Sequence, residues 1–129
     1  MYKELIIIII IIALVIVGNI ITQNNTNKSV EAINDELKIF REEILKQTIS
    51  KTEIEEYIKK INNTWEEKFE KLAYYIEHDE LEKASSELTK LKADVETENY
   101  DFAIENLDNC VFILEHIKDK SALKIVNIF

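Results

Sequence analysis

The stretch LIIIIIIIALVIVGNII, residues 5–21, decides how the rest of the chain is read. As a helix rising about 1.5 Å per residue it extends roughly 25 Å, the short end of what crosses the hydrocarbon core of a bilayer. Isoleucine at nearly every position leaves no polar face, and the remainder of a 129-residue chain is too small to enclose such a cylinder. A membrane-spanning helix over residues 5–21 is therefore expected, preceded by a short tail, residues 1–4. A cleaved signal peptide has a similar outline, with Lys3 ahead of the apolar run, but no small-x-small processing site follows, so the expectation is an uncleaved signal anchor. The amino terminus and Lys3 precede the span, and Lys28 is the only base soon after it. That asymmetry favours a cytoplasmic N-terminus and a single-pass protein of the cell membrane whose C-terminal domain is extracytoplasmic.

Beyond the run lies TQNNTNK, residues 22–28, whose side chains compete for backbone hydrogen bonds and have poor helix propensity. It reads as a polar, flexible linker. The remaining residues, 29–129, hold one glycine fewer than the whole chain, which is none, and no proline. Sheets close their turns with those residues and helices gain from lacking both, so the chain is expected to be all-α. Phosphate-binding loops built on glycine are excluded for the same reason.

Four blocks of apolar residues recur at helical spacing after Ser29. Val30, Ile33, Leu37, Phe40 and Ile44 form the first stripe behind a Ser29 cap, ending near Gln47. Ser50 with Glu53 reads as a capping box for a helix of some seven turns carrying Ile54, Ile58, Ile61, Trp65, Phe69, Leu72 and Ile76. Asp79 is the expected cap of a third helix with Leu81, Ala84, Leu88, Leu91 and Val95. Asn99 is that of a fourth with Tyr100, Ala103, Leu107, Cys110, Leu114 and Ile117. Lys118-Asp119-Lys120 is expected to break this helix, with Ser121 starting a last short turn. Loops of about two to five residues between amphipathic helices force neighbours to run antiparallel. The expected fold is thus a single N-terminal transmembrane helix followed by an acidic up-and-down bundle of about four helices.

Sixteen Lys and Arg against 25 Asp and Glu leave a net charge of -9, which argues against nucleic acid as a partner. With Cys110 alone there is neither an intramolecular disulfide nor a cysteine zinc cluster, and its place on an apolar stripe marks it as a small core residue rather than a nucleophile. His78, in Glu77-His78-Asp79-Glu80, and His116, with Asp119 one turn later, are weak metal candidates. Neither has the His partner at i+4 that tight zinc pairs show, and a helix C-terminus favours an imidazole through its dipole alone. No pattern assigns a catalytic residue, a bound metal or a cofactor. Asp101, Glu105, Asp108 and Glu115 share an acidic face that a basic partner or divalent cations could meet weakly. Trp65 and Phe69 point with the core stripe, whereas Tyr74 points away from it and Phe112 emerges amid the acidic face, so both are candidate partner contacts. Leu123, Ile128 and Phe129 join them, because the closing segment is too apolar for a frayed tail.

The layout resembles a bacterial family known as domain of unknown function 4363. The residues that carry the likeness are Trp65 in Asn63-Thr64-Trp65-Glu66, Ile76-Glu77-His78-Asp79-Glu80, Glu115-His116-Ile117 and the closing Leu123-Lys124-Ile125-Val126-Asn127-Ile128-Phe129. The resemblance implies a membrane-anchored protein of unassigned activity, in members usually met in spore-forming, low-GC bacteria. It also implies a multi-span membrane protein as neighbour, and it carries over no catalytic residue.

Two functions follow from these readings. One is an interaction or scaffolding module, not an enzyme, tethered to the bilayer through residues 5–21 and accessory to another membrane protein. The other is a metal-dependent enzyme or cation sensor at the membrane surface using His78, His116 and nearby carboxylates. The uncleaved anchor predicts that protein extracted from membranes keeps its N-terminus and resists alkaline carbonate. A mature chain that begins beyond Gly18 by mass spectrometry would remove the anchor.

Overall fold

A computed structural model describes the backbone of residues 2–128 and the side chains of residues 2–121. Among the described residues there are four helices and no strand: α1 (Tyr2–Lys46), α2 (Lys51–Leu72), α3 (His78–Glu96) and α4 (Tyr100–Ile128). The chain is all-α, and α1 packs on α2 and α4 while α3 packs on α2 and α4, so each helix touches its two neighbours in a closed ring. That is the up-and-down bundle expected from the short connections.

Helix α1 departs most from expectation. The apolar run and the first amphipathic stripe belong to one continuous helix, and the polar stretch 22–28 is not a loop but part of it. Three causes combine. No glycine or proline interrupts the stretch, and its side chains bond along the helix: Thr22 Oγ1 donates to the carbonyl oxygen of Gly18 at 2.9 Å and Gln23 Nε2 to Asn27 Oδ1 at 3.0 Å. Above all, the stretch is half inside the bundle. Thr26 is 0 % exposed, and with Val30, Ile33, Leu37, Phe40 and Ile44 it steps by four and three along the core stripe, so packing begins one turn earlier than the apolar residues announce. Burial overrides weak propensity, as tertiary context commonly does. Ser29, expected as a cap, is accordingly a buried residue inside the helix.

From Leu5 to Ile21, by contrast, no residue is buried. Among the described residues α1 is the one helix long and apolar enough to cross a membrane.

Pairs across the α1–α4 seam fix an antiparallel register. Asn34 Nδ2 donates to Glu115 Oε1 at 3.0 Å, Arg41 grips Asp108 through Nε at 2.8 Å and Nη2 at 3.3 Å, and Lys118 Nζ lies 3.5 Å from Glu31 Oε1. Each step forward in α1 is one step back in α4. Followed to its end, the register sets the last helical residue of α4, Ile128, level with Ile21 of α1. Helix α4 therefore does not break at Lys118-Asp119-Lys120, as expected, but continues to Ile128 and runs past the first residue of α3. Lys120 is part of the reason. Its ammonium reaches Glu80 Oε1 at 2.7 Å and Glu77 Oε2 at 3.6 Å, so the charged triplet ties α4 to the start of α3 instead of ending it.

Helix α2 begins as expected, with Ser50 accepting from the Glu53 amide, but ends at Leu72, four residues early. A turn carries Ile76 into the core all the same. The cap of α3 is Glu77 without a side-chain bond, not Asp79. Trp65 is 6 % exposed, as a core residue should be, with its ring edge on Phe69 at a centroid distance of 5.7 Å.

With its single glycine at position 18, the chain ends two helices on side chains in the left-handed region, Gln47 at φ 57° and Glu98 at φ 59°. At Glu98 the amide of Asn99 bonds back to the Asp94 carbonyl and that of Glu98 to Val95, the Schellman arrangement that glycine normally occupies. The Glu98 carboxylate stands 3.6 Å from Lys51, but both are exposed and the pair is worth little. Glu98→Gly should therefore stabilise the bundle by about 0.5 to 1 kcal/mol, the backbone strain relieved less the added freedom of the unfolded chain. Thermal melting reads this as a higher Tm.

Candidate functional site

Among the described residues an open groove of about 1180 Å³ lies between α2 and α3. These are the neighbouring helices that pack least closely. Trp65 and Phe69 of α2 line the groove together with Ser85, Leu88 and Thr89 of α3. The indole Nε1 donates to Ser85 Oγ at 2.9 Å, which satisfies the one polar atom of a buried tryptophan and bridges the groove floor. Asn62, Glu66 and Lys92 stand along its walls. No reading of the sequence pointed to this groove. The signal was the run of small residues Ala84-Ser85-Ser86 in the helix that follows the only tryptophan.

The histidines are placed differently from expectation. His78 does not close α2 but opens α3, so the helix-dipole reason given for it does not apply; its Nε2 lies 2.8 Å from Glu82 Oε1, one turn on, with both side chains exposed. His116 stands in the interior of α4, exposed, with Asp119 also exposed one turn later. Among the described residues no three His, Cys, Asp or Glu side chains are grouped closely enough to hold a metal ion.

The acidic face of α4 is divided by its neighbours. Asp108 and Glu115 are taken up by Arg41 and Asn34 of α1, leaving Asp101 and Glu105 exposed without such a tie among the described residues. Phe112 is 73 % exposed on the outer side of α4 and Phe102 shares that exposure ten residues earlier, while Tyr74, in the α2–α3 turn, is 85 % exposed. Leu123, Ile128 and Phe129, the other candidate partner contacts, lie outside the residues whose side chains are described.

The described surface of the bundle thus carries exposed rings and an open groove. In comparison with known proteins, the family model described as Domain of unknown function (DUF4363) matches residues 20–128, which is the bundle with the last two residues of the apolar run. The chain belongs to this family. No curated protein and no solved structure matches it. The segments around Trp65, His78 and His116 that carry the resemblance all fall inside the matched span, and each places a residue in the core: Trp65, Ile76 and Ile117.

Cys110 lies in the core between α3 and α4, its Sγ 4.0 Å from the Ala84 carbonyl oxygen. Burial first, and then the charge of Glu87, push the thiol up from its ordinary 9.0 to about 12. Such a thiol is inert as a nucleophile at neutral pH. Because the unfolded thiol ionises near pH 9 and the folded one near 12, its contribution to stability is complete below pH 9 and is lost as pH rises through that window. Ellman's reagent should leave the native protein unlabelled at pH 8 and react once denaturant is added. Fast labelling of the folded chain would place the thiol at the surface.

Proposed function

We propose that the chain is a membrane-tethered interaction module, anchored by residues 5–21, that presents its bundle outside the cytoplasm as an accessory to another membrane protein. The observation that carries this reading is the unbroken course of α1 from the apolar run into the core of the bundle. A flexible tether would only raise the local concentration of the bundle near the bilayer; a continuous helix also fixes its height and heading toward a neighbour in the same membrane. Orientation with the bundle outside follows from Lys3 and the amino terminus ahead of the span. The surfaces suited to a partner are the α2–α3 groove and the outer side of α4, where an exposed aromatic ring offers a large apolar area at small entropic cost.

The test is capture of the full-length chain from native membranes after cross-linking, compared with Phe112→Ala. Since Phe112 is solvent-exposed, this variant should melt like the wild type while its capture of the principal membrane protein falls by about tenfold or more, the loss of about 1.4 kcal/mol or greater that an interface aromatic brings. Capture of the same proteins by the bundle alone, with equal yield, would argue that anchoring has no part in recognition.

A further inference from the structure

The ends of the bundle differ in what they face. Helix α1 leaves the apolar run at Ile21 and is already buried at Thr26, so the bundle begins five residues, or about 7 Å, beyond the run. The α1–α2 register shows which part of the fold stands at that level. Thr64 of α2 donates to Glu36 of α1 at 2.8 Å, and Tyr57 stacks on Phe40 with ring centroids 5.7 Å apart. Eight residues forward from Thr64, Leu72 comes level with Lys28, and the turn that follows brings Tyr74 level with Thr26. Tyr74 is 85 % exposed and Tyr75 41 %, the two rings 6.4 Å apart. The opposite end, with the α1–α2 and α3–α4 connections, lies the length of α2 away.

A height of about 7 Å beyond the apolar run is within the headgroup layer, which occupies the difference between the roughly 30 Å hydrocarbon core and the 40–45 Å of the whole bilayer. The run is also short. Its roughly 25 Å against a core of about 30 Å draws the bilayer edge and the first bundle residues together. Tyrosine is the side chain suited to that layer, with an apolar ring and a polar tip, and it is enriched where membrane proteins meet headgroups. Helix α4 comes down beside the turn and continues past it to end level with Ile21, so two elements of the fold reach the plane of Thr26.

Resting on the reading of residues 5–21 as a membrane span, we infer that Tyr74 and Tyr75 insert into the headgroup layer of the bilayer that holds α1 and form a second lipid contact that stops the bundle from tilting about its anchor. The occupant is the lipid surface itself, and the contact needs no anionic lipid. Glu70, Glu77, Asp79 and Glu80 surround the turn with more negative charge than Lys71 and Lys120 offset, so zwitterionic lipid suits it better.

The test uses the full-length chain in phosphatidylcholine vesicles carrying bromine on their acyl chains near the glycerol. Tyr74→Trp adds an indole at the turn, Glu96→Trp adds one at the far end of α3, and the wild type supplies the signal of Trp65. The added emission of Tyr74→Trp should shift to the blue and lose intensity to the bromolipids, while that of Glu96→Trp stays quenched only to the wild-type degree. A carbonate wash of the same vesicles separates the two readings. Protein that stays in the vesicles with Tyr74→Trp unquenched overturns the lipid contact and leaves the anchor standing. A blue shift without bromine quenching also overturns it, since the ring is then covered by protein, a second copy or a partner. Release by carbonate overturns the anchor and the lipid contact together.

Discussion

One uninterrupted backbone hydrogen-bond ladder, that of α1, links the two chemically opposite halves of this chain. Residues 5–21 need an apolar medium and find none within the protein; residues 26–44 need a partner face and find it in α2 and α4. Because both belong to one helix, the direction in which the core stripe points is fixed relative to the apolar run. A loop at 22–28 would have uncoupled the two. The helix persists there because opening it would unbury Thr26 and Ser29 and free backbone groups that are already paired, a greater cost than the weak propensity of Asn and Thr, which is a few tenths of a kcal/mol per residue relative to better helix formers.

The bundle built on that helix is uneven, and the unevenness has chemical causes. Helices α3 and α4 meet through small and medium residues, Ala84 and Ala103 among them, and come together over most of their length. Cys110 fits in this seam as a small apolar residue. Between α2 and α3 the bulk of Trp65 and Phe69 holds the helices apart, and Trp65 needs Ser85 to satisfy its indole N–H where solvent is close. The α1–α4 seam is of a third kind. It carries Asn34 with Glu115 and Arg41 with Asp108, polar pairs that select one register among the many that a plain apolar stripe allows.

How much of this was legible in the sequence depends on the scale of the feature. The four helices were, because Ile, Leu and Ala recur at three and four along each, and burial follows that period from Val30 to Ile117 except at Phe69 and Tyr100, which are half-buried against the core. The ends were not. Lys118-Asp119-Lys120 is a charged triplet with no apolar member, and only the position of Glu77 and Glu80 across the seam shows that it ties rather than terminates. Thr26 has the spacing of a core residue but not the chemistry, so the stripe was read from Val30. His78 was assigned to the wrong helix because α2 stops at Leu72 and Ile76 reaches the core from a turn, which periodicity alone reads as one more helical step. The groove was hidden for a deeper reason: it arises from the difference in bulk between two faces that meet only in three dimensions.

Charge completes the logic of the arrangement. The chain carries an excess of nine negative charges, and several acidic residues are matched across seams: Asp108, Glu115 and Glu31 between α1 and α4, Glu36 between α1 and α2, and Glu77, Glu80 and Asp94 between α3 and α4. Glu31, Glu115, Glu77 and Glu80 lie toward the end of the bundle at which α1 enters from its apolar run, Asp94 and Asp108 toward the other. At the entry end Lys118 and Lys120 hold α4 against α1 and α3, while Thr26 Oγ1 and Asn34 Oδ1 are buried without a hydrogen-bond partner among the described residues. Exposed ion pairs of this kind contribute little each in water, so they select the register more than they add stability; among the described residues the acidic side chains without such a pair stand at both ends, Asp79 and Asp119 at one and Asp101 and Glu105 at the other, exposed where water screens them.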